Sequence, residues 1–341
     1  MFFLLVGIDT ESDNQWDAAA RARPTFENIY ALPRLHACFQ RHSVRPTYLV
    51  THPVAVERRS ADVLRQLSRA GDCEIGAHHH AWETPPCAPE DAGRHQYALQ
   101  LSLDRFEAQL THLSDAVGSV SGRRPRSYRS GRFGFGARHV SSLERAGFRI
   151  ESSIAPLFYE AHKGGPDFVD APLRPYFLSY DDAVRPGTSD LLELPLSVAL
   201  NRRLPRWLER LYGRAPKPYT TKRILRLLGL LKPIWLRPSY SSLDEMKRLA
   251  RALKMSGVPL LNVLFHSSEA IVGGSPYNRT DSELQASTER LDRFLAYATG
   301  ELGAQPATFS EFKARWCVPE RPARADQPRD AHLSRHPSPA A

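Results

Sequence analysis

Four stretches of the sequence carry side chains able to do acid–base or metal chemistry. Asp9 and Glu11 stand two residues apart, so on an extended backbone they project to the same side. Two such carboxylates can divide labour, one binding a cation and the other taking a proton; the plainer use of acids after a strand is to cap a helix or face water. His78, His79 and His80 are consecutive. Neutral imidazole is the commonest metal-binding side chain, and residues 78 and 80 share a face if the strand before them continues. One carboxylate and two imidazoles, with positions left for water, make a catalytic metal set. The alternative has His79 packing and its neighbours bonding within a loop. Trp82, Pro85 and Pro86 follow and suggest a rigid aromatic wall. Arg129 and Arg132 lie in the glycine-rich run YRSGRFGFG. An arginine paired with an active-site carboxylate would keep it ionised, whereas the glycine spacing matches neither nucleotide-binding motif. His266 ends the apolar run LLNVLF. A single histidine there is usually a satisfied core residue, but its position on the same rim as the other clusters favours a general acid.

These groups need elements to hold them. Seven apolar runs read as strands: Met1–Ile8, Pro46–Thr51, Cys73–Ala77, Ser127–Phe135 (strand, then loop), Phe148–Ile154, Leu191–Val198 and Pro259–Phe265. Helical spacing covers Phe26–Arg41, with Pro33 delaying or kinking the start, and a stretch from a Ser60 cap to Gly71. It continues in Tyr97–Val117, Arg138–Ala146, Ser242–Met255 with a capping box to Glu245, and Ser282–Gly300. Strands mostly divided by helices, and near-continuous in their hydrophobicity, predict a parallel sheet covered on both faces. An open sheet and a closed barrel both fit. Asp9, His78, Arg129 and His266 all fall at or just after the carboxyl ends of these strands, where parallel sheets and barrels assemble active sites.

The chain has 341 residues, 42% of them apolar, and a formal charge of +9, which excludes wholesale disorder. Its longest apolar run is far short of the roughly 18–20 residues of a membrane span. That run, MFFLLVGI, lacks a basic leader and is followed by acids, so no export signal is expected. Cys38, Cys73, Cys87 and Cys317 are scattered, which argues for reduced thiols and a cytoplasmic location. The basicity is local: residues 201–237 hold eleven Lys and Arg against Glu209 alone, leaving the rest of the chain about −1. A nucleic-acid binder would carry its charge on the main fold, with stacking platforms, so that class is set aside. Leu208, Leu211, Ile224, Leu227, Leu228 and Leu231 recur near helical spacing among the arginines. Such a helix fits either a solvated lid or peripheral contact with an anionic membrane through residues 202–232. The expected organisation is one domain over residues 1–318, with a basic amphipathic insertion at about 200–238 and a disordered tail over 319–341.

Six segments taken together, VGIDTESD, EIGAHHHAWETPP, YRSGRFGFG, ESSIAP, LLELPLS and LFHSSE, resemble the polysaccharide deacetylases with the NodB homology domain (carbohydrate esterase family four). The likeness is greatest to the divergent WalW-type branch. The resemblance implies an irregular seven-stranded (β/α) barrel and a metal-dependent hydrolase that removes N-acetyl groups from an amino sugar or polysaccharide. By the same resemblance Asp9 is the catalytic base, Arg129 the arginine that holds it, and His266 the acid that protonates the leaving amine. Glu11 and His78 are metal ligands, Zn²⁺ being the expected ion. The second metal histidine of better-known members falls at Trp82, and His80 is taken as its substitute. Trp82 and Arg132 are expected to contact substrate. The competing readings are a hydrolase of non-sugar or cyclic amides in the same superfamily, and a silent glycan-binding barrel.

Overall fold

The computed structural model describes residues 1–87, 95–215, 224–225, 228 and 230–317. Every apolar run yields a strand: β1 (Phe3–Thr10), β2 (Thr47–Val50), β3 (Glu74–His79), β4 (Ser127–Ser130) and β5 (Ile150–Glu151) come first. A short β6 (Tyr176–Phe177) precedes β7 (Leu192–Glu193); β8 (Val198–Leu200), β9 (Pro233–Trp235), β10 (Leu260–His266) and β11 (Gln305–Pro306) complete the set. Seven of them run parallel in the order β10-β1-β2-β3-β4-β5-β7, with β6 antiparallel on β7 and β11 beside β1. The expected α/β architecture of seven parallel strands in an irregular, curled barrel is therefore present.

Strand pairing leaves β7 and β10 unjoined, and side chains bridge the gap. Asn262 donates through Nδ2 to Leu194 O (2.8 Å) and Ser152 Oγ (3.0 Å), while Ser197 Oγ accepts from Asn262 N (2.9 Å). Leu264 N donates to Leu236 O at 3.0 Å, so the chain after β9 lies along the same opening. A buried amide can take this place because its donors find acceptors across the gap, on the chain that follows β5 and β7.

Phe3, Leu5, Leu49, Ile150, Leu192, Leu194 and Leu260 form one apolar cluster with Phe309 and Phe312 of the helix Phe309–Trp316. Each buried aromatic ring contributes about 1.5–3 kcal/mol. Glu74 at the start of β3 accepts from Ser310 N (2.8 Å) and from Ser127 Oγ (2.5 Å), which anchors that helix. The larger cluster lies between the opposite strand faces and the helices, among them Leu32–Arg41, Arg58–Arg69, Leu103–Ser121, Leu243–Met255 and Asp281–Ala296.

Several boundaries differ from expectation for local reasons. Glu57, not Ser60, caps the helix Arg58–Arg69, because its carboxylate reaches the N–H groups of Arg59 and Ser60. The stretch beginning at Tyr97 opens as a 3₁₀ turn, and the α-helix starts only after the Ser102 cap. The capping box of Ser242 and Glu245 forms as expected.

The basic segment is flanked by a strand pair, since β8 pairs antiparallel with β9, Val198 opposite Trp235. Its helix Arg206–Arg214 stops where Ala215 turns extended (φ −58°, ψ 132°), so one helix from Pro205 to Leu231 is not formed. The remainder of that expected helix includes residues 216–223, 226, 227 and 229, which lie outside the described residues, as does the tail expected to be disordered. Arg237, counted with the basic segment, is buried rather than surface-facing. No helix among the described residues is long and apolar enough to cross a membrane.

Candidate active site

Register decides which side chains meet. Asp9 is opposite His266 on β10, and His78 opposite Arg129 on β4. Asp9, His78, Arg129 and Glu11 are each at most 4% exposed.

Arg129 donates through Nη1 to Asp9 Oδ1 at 2.6 Å. Its Nε donates to Ser152 O (2.7 Å) and its Nη2 to Ser152 Oγ (3.1 Å), so the guanidinium is held on two edges. The room for it comes from Gly7 on β1: a Cβ there would lie 2.7 Å from Arg129 Nη2. Burial alone would favour the neutral acid at Asp9, but the charges of Arg129, His78 and His266 outweigh it and hold the carboxyl down to about 2. Oδ2 of Asp9, the oxygen away from that bond, faces His266 Nε2 at 3.6 Å and His78 Nε2 at 3.9 Å.

The histidine triplet splits as alternation requires. His78 and His80 turn toward Glu11, with ring centres 4.6 Å apart. His79 points the other way, bonding Gln109 Oε1 at 2.7 Å and packing edge-on against Phe106; burial pushes it down to about 4. His78 Nδ1 must donate to the carbonyl of Arg129 (3.1 Å), which leaves its Nε2 lone pair facing Glu11 Oε2 at 3.9 Å. His80 Nδ1 meets Glu83 Oε1 at 2.6 Å, and its Nε2 lies 3.3 Å from Glu11 Oε2. Burial drives His78 down to about 3. At His80 burial also disfavours charge, but Glu83 and Glu11 override it and raise the ring to about 9.

Glu11, His78 and His80 bring one ligand atom each within 4.8 Å of one another, and all three are buried. The donor set fits a divalent cation. Two imidazole nitrogens and a carboxylate oxygen converge, and the far nitrogen of each ring is held by a carbonyl or a carboxylate, as metal-binding histidines require. Gly131 makes the space, since a Cβ there would fall 2.3 Å from His80 Cδ2.

On the β10 side His266 Nδ1 meets Glu269 Oε1 at 3.0 Å. Glu269 is fully buried and also takes Arg237 Nε (2.9 Å) and the hydroxyl of Ser239 (2.5 Å). Its carboxyl is lowered because Arg237 and His266 outweigh the cost of burial. Neither Glu269 nor Arg237 was assigned from sequence; the i, i+3 spacing of His266 and Glu269 was the available signal, whereas nothing local marks Arg237. Trp16 lies against His266 (5.1 Å between ring centres) and Trp82 stacks on His80 (4.2 Å). Arg132, exposed on the rim, sits 5.1 Å from the Trp82 ring and donates to Gln96 Oε1 at 2.7 Å.

No protein-family model matches the sequence, and no curated protein matches it. Among solved structures, the fold is similar to a candidate polysaccharide deacetylase from Mycobacterium smegmatis, at 17% identity, 95% coverage of both chains and a TM-score of 0.50. It is also similar to a candidate glycoside hydrolase/deacetylase from Parabacteroides distasonis, at 13% identity and a TM-score of 0.57, over 92% of this chain and 70% of that one. At these identities the likeness is one of fold, a deacetylase-type barrel.

Proposed function

We propose that this chain is a metal-dependent hydrolase that removes N-acetyl groups from an amino sugar or polysaccharide. The observation that carries the reading is the convergence at one rim of Asp9, Arg129, His266 and the Glu11–His78–His80 set. Glu11, His78 and His80 would hold the cation, and Zn²⁺ suits their mixed nitrogen and oxygen donors. A bound divalent ion supplies Lewis acidity toward an amide carbonyl oxygen.

The chain's own residues supply the protons. Asp9 is kept ionised by Arg129 and accepts a proton at Oδ2 from the attacking water. As the water oxygen bonds to the acyl carbon and the C–N bond breaks, His266 Nε2 donates a proton to the departing nitrogen. Acetate and a free amine result. Glu269, charged and fixed by Arg237, orients the imidazole through Nδ1 and leaves Nε2 facing the reaction. Trp82 and Arg132 form the wall against which a sugar ring would rest.

Acetate release from a panel of N-acetylated saccharides, with and without chelator, tests the reading. Chelator-sensitive release is expected, together with its loss in Asp9→Asn. Release from cyclic amides alone would replace the sugar by another amide, and saccharide binding without turnover would favour a glycan-binding barrel.

The insertion supports a second element of the proposal, peripheral contact with an anionic membrane face. Trp207 and Leu211 are 65% and 63% exposed on the helix Arg206–Arg214, and Ile224, Leu228 and Leu230, later in the same segment, are also exposed. Arg206, Arg210 and Arg214 pair with Asp170 and Asp167, while Trp207 and Leu211 of the same helix stay exposed. Sedimentation with vesicles containing anionic lipid, at low and high salt, checks this; salt-sensitive binding is expected.

A further inference from the structure

The outward faces of four neighbouring strands carry a row of ionisable side chains that the proposed chemistry does not use. Tyr128 on β4 stands opposite Glu151 on β5, Glu151 opposite Glu193 on β7, and Glu193 opposite Tyr176 on β6. Both carboxyls are fully buried at directly paired positions of adjacent strands. Two ionised carboxylates in contact without water repel strongly, so a buried pair of this kind retains a proton.

The surroundings identify its bearer. Glu151 accepts from Ser153 N with both oxygens (2.9 Å each) and from the Ser153 hydroxyl, as an ionised group would. Among the described residues Glu193 accepts only from Ile154 N (3.3 Å), and no N–H or O–H reaches its Oε2. The charged group acting on both is Arg129, from the other face of the sheet, with the phenols of Tyr128 and Tyr176 on either side.

We propose that Glu193 carries a proton which it donates to an ionised Glu151, and that this acid pair positions Arg129. The connection runs through one turn. Glu151 fixes Ser153; the hydroxyl of Ser153 accepts from Ser130 N (2.7 Å), and the adjacent Ser152 takes two donors of the Arg129 side chain. Glu151 and Glu193 are positioning residues, because neither touches the reacting atoms.

The consequence for pH follows from linkage. Burial, and for Glu193 the neighbouring Glu151, raise these groups above the usual carboxylate range. The folded chain therefore binds the proton more tightly than the unfolded chain. The stabilisation is full below about 4.3, the unfolded glutamate value, and is lost as pH rises toward the folded one.

The test compares Glu193→Gln, Glu193→Ala and Glu151→Gln in the full chain. Gln at 193 keeps a permanent donor toward Glu151, so its melting temperature should match wild type near pH 5 and exceed it increasingly toward pH 9. The infrared carbonyl stretch of a protonated carboxyl should persist in wild type near neutral pH and disappear in Glu193→Gln. Glu193→Ala and Glu151→Gln should both melt lower. On the hydrolase reading, Glu193→Ala should lower kcat about tenfold with KM and metal content unchanged, and Glu193→Gln should restore it. Failure of acetate release in wild type would sink the hydrolase reading and leave the melting and infrared arms to decide the pair. Equal losses in Glu193→Gln and Glu193→Ala, or a wild-type melting temperature raised by Na⁺ or Ca²⁺ but not in Glu193→Gln, would overturn the shared proton in favour of a bound cation.

Discussion

Arg129 and Arg210 each meet a carboxylate at 2.6 Å, one inside the barrel rim and the other on the insertion. Arg129 is fully buried, makes two further hydrogen bonds through its guanidinium and faces an Asp9 side chain that is 4% exposed. The Arg210 side chain is 52% exposed, and Asp170 is shared among three arginines. The same contact therefore has two different consequences. In the rim either partner alone is an uncompensated buried charge, whereas on the insertion water takes the place of whichever partner is lost.

Removing the rim arginine should give the largest effect. Arg129→Met is expected to destabilise the fold by about 3–5 kcal/mol, the usual cost of stranding one member of a buried pair, with hydrolysis abolished; denaturant melts and acetate release measure both. It should also change acid behaviour. Asp9, held at about 2, contributes stability above about 4 that is lost as pH falls toward 2. In Arg129→Met burial favours the neutral acid, so that loss on acidification should shrink or reverse, and an unaltered acid limb in the melting profile would contradict the pairing.

Proton-transfer variants come next. Asp9→Asn and His266→Ala should each reduce turnover by about 10²–10⁴-fold with metal retained, the range for general acid–base groups. Near-normal rates in either would remove that residue from the mechanism.

Metal binding tests the other half of the rim. Glu11→Ala and His78→Ala should empty the site, and His80→Ala should weaken it, while His79→Ala should leave metal content unchanged because that ring faces Gln109. Glu83→Gln should weaken affinity by about 10–100-fold, the usual effect of losing a carboxylate behind a ligating histidine. Calorimetric titration with Zn²⁺ ranks these variants, and loss through His79 would reverse the assignment.

The smallest change belongs to the insertion. Arg210→Ala should alter stability by less than about 1 kcal/mol and leave acetate release untouched. A cost near that of Arg129→Met would erase the distinction between the two regions.

The positions of Asp9, His78, Arg129 and His266 were legible because each sits at or beside the end of an apolar run, and strand alternation separates His78 and His80 from His79 without further information. Capping chemistry was legible where the box is local, at Ser242 and Glu245, and misread at Ser60, because the helix starts three residues earlier, where Glu57 takes the amides of Arg59 and Ser60. Arg237 was misplaced because burial is not a property of composition: it sits at the end of a basic run, yet its partner Glu269 lies 32 residues away.

The sequence by itself determined the seven parallel strands and the types of the rim residues, since hydrophobic period and residue chemistry are local. The tertiary structure alone decided the rest. It placed Arg129 against Asp9 across 120 positions, closed the gap between β7 and β10 through Asn262, and brought Glu151 against Glu193. Each depends on strand register and on the curl of the sheet, which arise from many side chains packing at once rather than from any short run.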